Sequence, residues 1–331
     1  MSKWKVVITD SGYKSYDIER EVLAKVGADV TVKQCAGEDD VIALAKDADG
    51  VIVRLQPFTS RVMDALPRCR VVGRYGIGVD NIEIDAATRH GIAVGNVLDY
   101  AVNEVAEQAL ALIFSCARKI TSHDKRIRAG EWDIAQKDPV RRIQGRTLGL
   151  IGLGRIPQAL IAKVKGFEFR ILAADPFVTK EAAAKMGVAL VDLDTLLKES
   201  DFVSVHAPLN DKTRHLINET TLRKMKPTAI LVNTARGGVV DTAALHKALK
   251  EGWINSAGMD VHEKEPVQKD YAMFELDNVV IADHAGWYSE ESMVELQRGA
   301  AEAVASTLAG GWPKFLVNPA VKEVAAKKWK K

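Results

Sequence analysis

The chain has 331 residues, and at roughly 150 residues per domain that length suggests about two domains. Its 47% hydrophobic and 27% charged content is ordinary globular usage, enough for a large core without disulfide or metal staples. A net charge of +2 gives no general electrostatic drive toward nucleic acid or a membrane surface.

Other classes drop out on pattern. The longest apolar run, near 109–117, is interrupted by Ser115 and is far too short to span a bilayer. The N-terminal segment lacks the long apolar region of a signal peptide. Cys35, Cys69 and Cys116 are odd in number and far apart, with no Cys-x-x-Cys, so neither a metal site nor a disulfide framework is expected. These features fit a reducing, cytoplasmic setting.

In chain order, strand-like runs fall at 5–9, 29–33, 50–55, 70–73 and 92–97, with helical patterns at 15–26 and 59–66 between them. Such β-α alternation predicts a parallel sheet covered by helices on both faces, and Val51-Ile52-Val53 reads as a strand buried on both. Residues 101–120 read as one long helix, followed by a polar, basic stretch at 123–146 carrying Trp132 and Pro139. A second β-α series begins at Thr147, with strands at 147–151, 169–173, 189–191, 202–206, 229–233, 256–261 and 279–282. Its helices are expected at 156–166, 194–200, 218–225 and 241–251, and a last helix at 289–309. The tail 321–331, with five lysines and one glutamate, reads as a solvated, frayed terminus. The fold class expected is therefore α/β, with two doubly wound parallel-sheet (Rossmann/flavodoxin-like) domains and a ligand-binding cleft between them.

The segment Gly149-Leu150-Ile151-Gly152-Leu153-Gly154-Arg155-Ile156-Pro157 follows a strand and opens a helix, the context of a dinucleotide loop. Gly152 permits the tight turn, and Gly154 lets the backbone approach a pyrophosphate at the helix N-terminus. Pro157 stands where the pattern has its third glycine, and proline is tolerated in a first helical turn. Asp175 lies 21 residues after Gly154, at a strand end, where an acid bonds the ribose hydroxyls and repels a 2′-phosphate. Its plainer reading is a turn acid before Pro176. Together these residues favour NAD over NADP. The first unit has no such loop and is expected to hold substrate.

Polar residues cluster just past three later strands: Asn233-Thr234-Ala235-Arg236, Asp260 through Glu265, and His284-Ala285-Gly286-Trp287. A nicotinamide reaction needs a group that titrates near neutrality, a cation for a carboxylate, and an acid to hold the imidazole; His284, Arg236 and Glu265 offer these. Arg236 as a strand-end ion-pair partner and Glu265 as a solvated loop acid are the bland alternatives. His206 also follows a strand; it is better suited to the wall of the cofactor pocket.

The chain resembles the D-isomer-specific 2-hydroxyacid dehydrogenases over nearly its whole length. The resemblance rests on Gly73 through Ile82, Gly149 through Ile156, Asp175-Pro176, Val232 through Asp241, Met259 through Pro266 and His284 through Ser289. It implies an NAD-dependent oxidoreductase interconverting a 2-oxo acid and a D-2-hydroxy acid. Arg236, Glu265 and His284 would be catalytic. Gly152, Gly154, Arg155, Ile156, Asp175, His206, Ala207, Thr234, Ala235, Asp260 and Gly286, with Arg236 and His284, would hold NAD. Arg54, Arg74, Gly76, Ile77, Gly78 and Trp287 would meet the substrate. The substrate domain would be discontinuous, 1–100 with 289–331, around a cofactor domain at 101–288. A homodimer would form through the cofactor domain, with 123–146 contributing. The segments at 260–266 and 284–290 look most like the C-terminal-binding-protein branch, which makes an NADH-sensing corepressor with little turnover the alternative function.

Overall fold

The computed structural model describes residues 3–132 and 139–329, so part of the basic 123–146 stretch and the last two lysines lie outside the described residues. Contacts divide the chain into two units, Met1–Ala101 with Ser289–Lys331, and Val102–Tyr288.

The first unit alternates β1 (Trp4–Ile8), α1 (Asp17–Ala24), β2 (Ala28–Val32), α2 (Glu38–Ala45), β3 (Gly50–Val53), α3 (Ser60–Asp64), β4 (Val71–Arg74), α4 (Ile84–Arg89) and β5 (Ala93–Gly95). Its strands form a parallel five-stranded sheet in the order β2-β1-β3-β4-β5. Val51, Ile52 and Val53 are fully buried at its centre, as their unbroken apolar run requires.

The second unit runs α5 (Val102–Arg118), α6 (Ile120–Arg128), β6 (Thr147–Ile151), α7 (Arg155–Lys163), β7 (Arg170–Ala174), α8 (Lys180–Lys185), β8 (Ala189–Leu190), α9 (Leu193–Glu199), β9 (Phe202–Val205), α10 (Glu219–Leu222), β10 (Ile230–Asn233), α11 (Thr242–Lys250), β11 (Ser256–Met259) and β12 (Val279–Ile281). These strands make a parallel seven-stranded sheet, β12-β11-β10-β9-β6-β7-β8, whose order reverses at the β6/β9 pair. Ligands bind such sheets beyond the strand C-termini at that reversal.

The chain then returns to the first unit as α12 (Glu290–Leu308) and α13 (Val321–Lys328). Close packing explains the small residues here: a Cβ on Gly73 would lie 2.7 Å from the Ala300 carbonyl oxygen of α12.

Two expectations need correction. The helix expected over 101–120 is broken at Lys119, whose φ of 55° is left-handed, and a second helix, α6, follows inside the polar stretch. No residue of α6 is buried, so it carries no apolar period from which to predict it. The tail is not simply frayed: α13 buries Val321 and Ala325, and Trp329 stacks on Trp312 with centroids 5.2 Å apart.

Candidate active site

Parallel pairing in the second sheet places Ala174, Ile151, Val205, Asn233, Met259 and Ile281 level with one another at the strand ends. One edge therefore carries the glycine turn, Asp175, His206, Arg236, Asp260 and His284, although 132 positions separate Gly152 from His284 in sequence.

The glycine turn is built as a dinucleotide would need it. Gly152 has φ +95°, and a Cβ there would press on the His206 carbonyl at 3.2 Å. Gly154 precedes the first turn of α7, and a Cβ on it would meet nothing within 4 Å, so space lies open before that helix. Arg155 and Ile156 begin the helix, and the buried Pro157 is its third residue, where an absent amide hydrogen forfeits no helical bond. Asp175 braces the turn: its Oδ2 accepts from the Leu153 amide at 2.8 Å, and its Oδ1 accepts from the Phe177 amide at 2.8 Å. It is thus a turn acid as well as an acid at the strand end. Ala207 is buried beside Gly152. Among the described residues, the buried Thr234 hydroxyl has no hydrogen-bond partner. Such an orphan is costly in a finished protein interior. Together with the open space at Gly154, it fits a bound dinucleotide.

His206 and His284 differ in their surroundings. Desolvation pushes the His206 pKa down to about 4, and its Nε2 lies 2.9 Å from Ser204 Oγ, so the ring is neutral near pH 7. His284 Nδ1 instead lies 2.6 Å from Glu265 Oε2. Glu265 Oε1 accepts from the His262 amide at 2.8 Å. Partial burial works against the Glu265 carboxylate, but its bonds to His284 and the His262 amide outweigh that and hold its pKa below the ordinary value. With Nδ1 engaged, Nε2 is the nitrogen that can exchange a proton. His284 has φ 58°, a strained backbone held by a 2.8 Å bond from its amide to the Asp260 carbonyl.

Arg236 follows β10, with its Nη1 donating to the Ala235 carbonyl at 2.8 Å. Residues missed from the sequence position this loop. Asn233 donates to the Arg236 carbonyl at 2.9 Å and accepts from the Ala235 amide at 3.0 Å. Gly237 lies so close to the next strand's loop that a Cβ would fall 1.9 Å from the His262 carbonyl carbon. The buried Asp260 carboxylate accepts from the Ala285 and Gly286 amides and from Gln108 Nε2 at 3.0 Å, shaping the turn that carries His284. Gln108 stands 152 positions away on α5, with no motif to mark it. A Cβ on Gly286 would collide with the same carboxylate at 2.7 Å. Trp287 packs edge-on to Tyr288.

In the first unit, the loops after β1, β3 and β4 meet because those strands are neighbours. Asp10 ties two of them together, accepting from the Arg54 and Leu55 amides at 2.8 and 3.1 Å. The Arg54 guanidinium lies 5.5 Å from the Tyr13 ring centre. Arg74 folds over Gly76, whose missing Cβ would lie 1.6 Å from its Nη1. The Gly76 and Ile77 carbonyls accept from the Val97 amide and Asn96 Nδ2, at 3.1 and 2.6 Å. Among the described residues, the amides of Gly76, Ile77 and Gly78 donate to no protein acceptor.

The family model for the NAD-binding domain of D-isomer-specific 2-hydroxyacid dehydrogenases matches residues 110–286. The chain belongs to that family. It is an NAD-dependent oxidoreductase that interconverts 2-oxo acids and D-2-hydroxy acids. The glyoxylate reductase of Korarchaeum cryptofilum is 42% identical to the dehydrogenase over 288 residues, covering 86% of this chain and 87% of that protein. The D-3-phosphoglycerate dehydrogenase of Methanocaldococcus jannaschii is 39% identical over 316 residues, which cover 95% of this chain but 59% of that protein. The crystal structure of a glyoxylate reductase from Paecilomyes thermophila superposes with a TM-score of 0.87 at 27% identity, covering 96% of this chain and 99% of that one. The corepressor alternative draws no support from these relatives, which are named as reductases and dehydrogenases. No helix of the described residues is long and apolar enough to cross a membrane.

Proposed function

We propose that the dehydrogenase reduces small 2-oxo acids of the glyoxylate kind, with Arg236, Glu265 and His284 as its catalytic residues. The observation that carries this reading is the 2.6 Å Glu265–His284 contact past the ends of β11 and β12, with β11 paired to β10, the strand that leads to Arg236. A relative of similar length named glyoxylate reductase supports the substrate class. The unit Val102–Tyr288 is the cofactor domain in this reading, and Met1–Ala101 with Ser289–Lys331 is the substrate domain.

The glycine turn, Asp175, Ala207 and Thr234 would hold the dinucleotide, whose nicotinamide supplies or accepts the hydride when bound. Arg236 holds the substrate carboxylate and polarises the adjacent carbonyl through its fork of donors. His284 Nε2 gives a proton to the carbonyl oxygen as negative charge develops there. Glu265, held as a carboxylate, orients the ring and stabilises the imidazolium. Arg74 and the amides of Gly76, Ile77 and Gly78 would meet the substrate in this reading. Arg54 would admit a second anion, a reading favoured by the relative named D-3-phosphoglycerate dehydrogenase. Trp287 would wall the pocket.

A homodimer through the cofactor domain is part of the proposal, supported by the exposed Ile120, Ile127 and Trp132. Buried free thiols at Cys35, Cys69 and Cys116 support a reducing cytoplasm.

The test follows NADH absorbance with glyoxylate, hydroxypyruvate, phosphohydroxypyruvate and bulkier 2-oxo acids. Glyoxylate and hydroxypyruvate should be reduced fastest. His284→Ala should lower kcat by at least about 10²-fold, the scale of a lost acid/base, with NADH affinity little changed. Near-normal turnover in that variant would overturn the assignment.

A further inference from the structure

One histidine that the proposed reaction does not use, His262, stands where the loops carrying the reacting groups converge. It lies three residues past the end of β11 and is buried. Burying an imidazole is costly unless its nitrogens find partners. Here both do: Nε2 lies 2.9 Å from the Ala282 carbonyl oxygen, and Nδ1 lies 3.2 Å from Tyr271 Oη. A carbonyl only accepts, so Nε2 carries a proton and donates it. The Tyr271 ring meets the imidazole edge-on, with centroids 5.4 Å apart.

The bond to Ala282 replaces one that the sheet gives up. β11 and β12 pair as far as Met259 and Ile281, and the Ala282 amide still donates to the Met259 carbonyl at 2.8 Å. A continued parallel ladder would bring a backbone amide to the Ala282 carbonyl as well. The strand ends at Met259, and the His262 ring takes that carbonyl instead.

His262 also touches each of the three loops. Its amide donates to Glu265 Oε1 at 2.8 Å, while Glu265 Oε2 meets His284 Nδ1. Ala282, held by its ring, precedes His284 by two residues. Its carbonyl carbon is the atom that a Cβ on Gly237, next to Arg236, would overlap. Glu263 anchors the same segment from the other side, with Oε1 2.6 Å from His215 Nε2 and Oε2 accepting from the Thr242 amide at 2.8 Å.

We propose that His262 is a positioning residue for proton transfer: its amide and its ring together set the gap between Glu265 and His284. This rests on the reading of those two residues as the acid–base pair. The left-handed backbone of His284 needs such bracing, because a strained turn persists only where its surroundings hold it. Transfer is steeply sensitive to placement, a shift of about 1 Å costing up to roughly 10²-fold. Phenylalanine at this position keeps the ring volume and cannot donate. Glutamine loses the ring and keeps a nitrogen donor at similar reach.

Steady-state kinetics on the full chain, with NADH and the 2-oxo acid that the parent reduces fastest, test the proposal. His262→Phe should lower kcat by about tenfold or more, the value of a lost positioning bond, with KM and NADH affinity changed by less than about twofold. The solvent deuterium isotope effect on kcat should rise, because proton transfer becomes the slow step. His262→Gln should recover most of the loss. Tyr271→Phe removes only the oxygen at Nδ1 and should move kcat and the isotope effect in the same direction, by less. A folded His262→Phe with parental kcat and isotope effect would overturn the role, and a glutamine variant no better than the phenylalanine one would overturn the part given to the Nε2 donor. Should His262→Phe not fold, parental values in Tyr271→Phe would overturn it. His284→Ala separates the two readings: near-parental turnover there removes the acid–base pair and this role with it, whereas a large loss there and none in His262→Phe removes this role alone.

Discussion

His206 and His284 each follow a strand of one sheet, and both stand out as ring nitrogens near a cofactor edge. Their neighbours separate them: a serine hydroxyl and desolvation for one, a carboxylate at 2.6 Å for the other. The low His206 pKa has a consequence for stability. The unfolded chain takes a proton near the ordinary 6.5, while the folded chain does not until about 4. The unfolded state therefore binds more protons across that window, and stability falls as pH drops through it, levelling off below about 4. Urea melts at about pH 7 and about pH 5 should show a smaller loss in His206→Gln than in the parent. Equal losses would mean that the imidazole titrates alike in both states. At this scale the strand-end histidine, arginine and acids were readable as residue types suited to hydride chemistry. Asn233 and Gln108 were not, because an amide that positions a loop looks in sequence like any surface amide.

The turn before α7 and the end of β7 act as one element. Asp175 is the hinge between them, bonded to the Leu153 amide within the glycine turn. Removing its carboxylate takes away a brace of the glycine turn and, in the proposed reading, a ribose acceptor with it. Asp175→Ala should weaken NADH by about tenfold, the value of a charge-assisted hydrogen bond of roughly 1.5 kcal/mol, and NADPH by less. Fluorescence titration with both cofactors measures this, and a parent protein that already prefers NADPH would contradict it. The same scale shows where periodicity loses its hold. The apolar repeat of α5 predicted a helix, but not the left-handed Lys119 that ends it, because nothing in a repeat encodes the sign of φ. Helix α13 was missed because its lysines mask two buried apolar residues, Val321 and Ala325.

For the whole molecule, the decisive feature is that one unit is closed by residues from both ends of the chain. Leu296, Ala300, Ala301 and Val304 of α12 are buried, and Val304 Cγ1 would touch a Cβ on Gly50 of β3 at 2.8 Å. A chain ending at residue 288 would expose that sheet face, whereas residues 102–288 keep their own sheet and core. Thermal melts by circular dichroism should therefore show one cooperative transition for 102–288, which should also bind NADH. The chain 1–288 should lose the transition of the first unit or precipitate. A fully cooperative 1–288 would contradict this account. The sequence by itself determined the α/β class, the two parallel sheets, the glycine turn and the residue types for hydride chemistry, since these rest on local period and composition. Only the tertiary structure decided that Glu265 meets His284, that Gln108 supports Asp260, and that Lys119 breaks the helix with a left-handed backbone. Those pairings depend on strand order and on left-handed backbone positions, which bring distant residues within hydrogen-bonding reach and leave no trace in spacing along the chain.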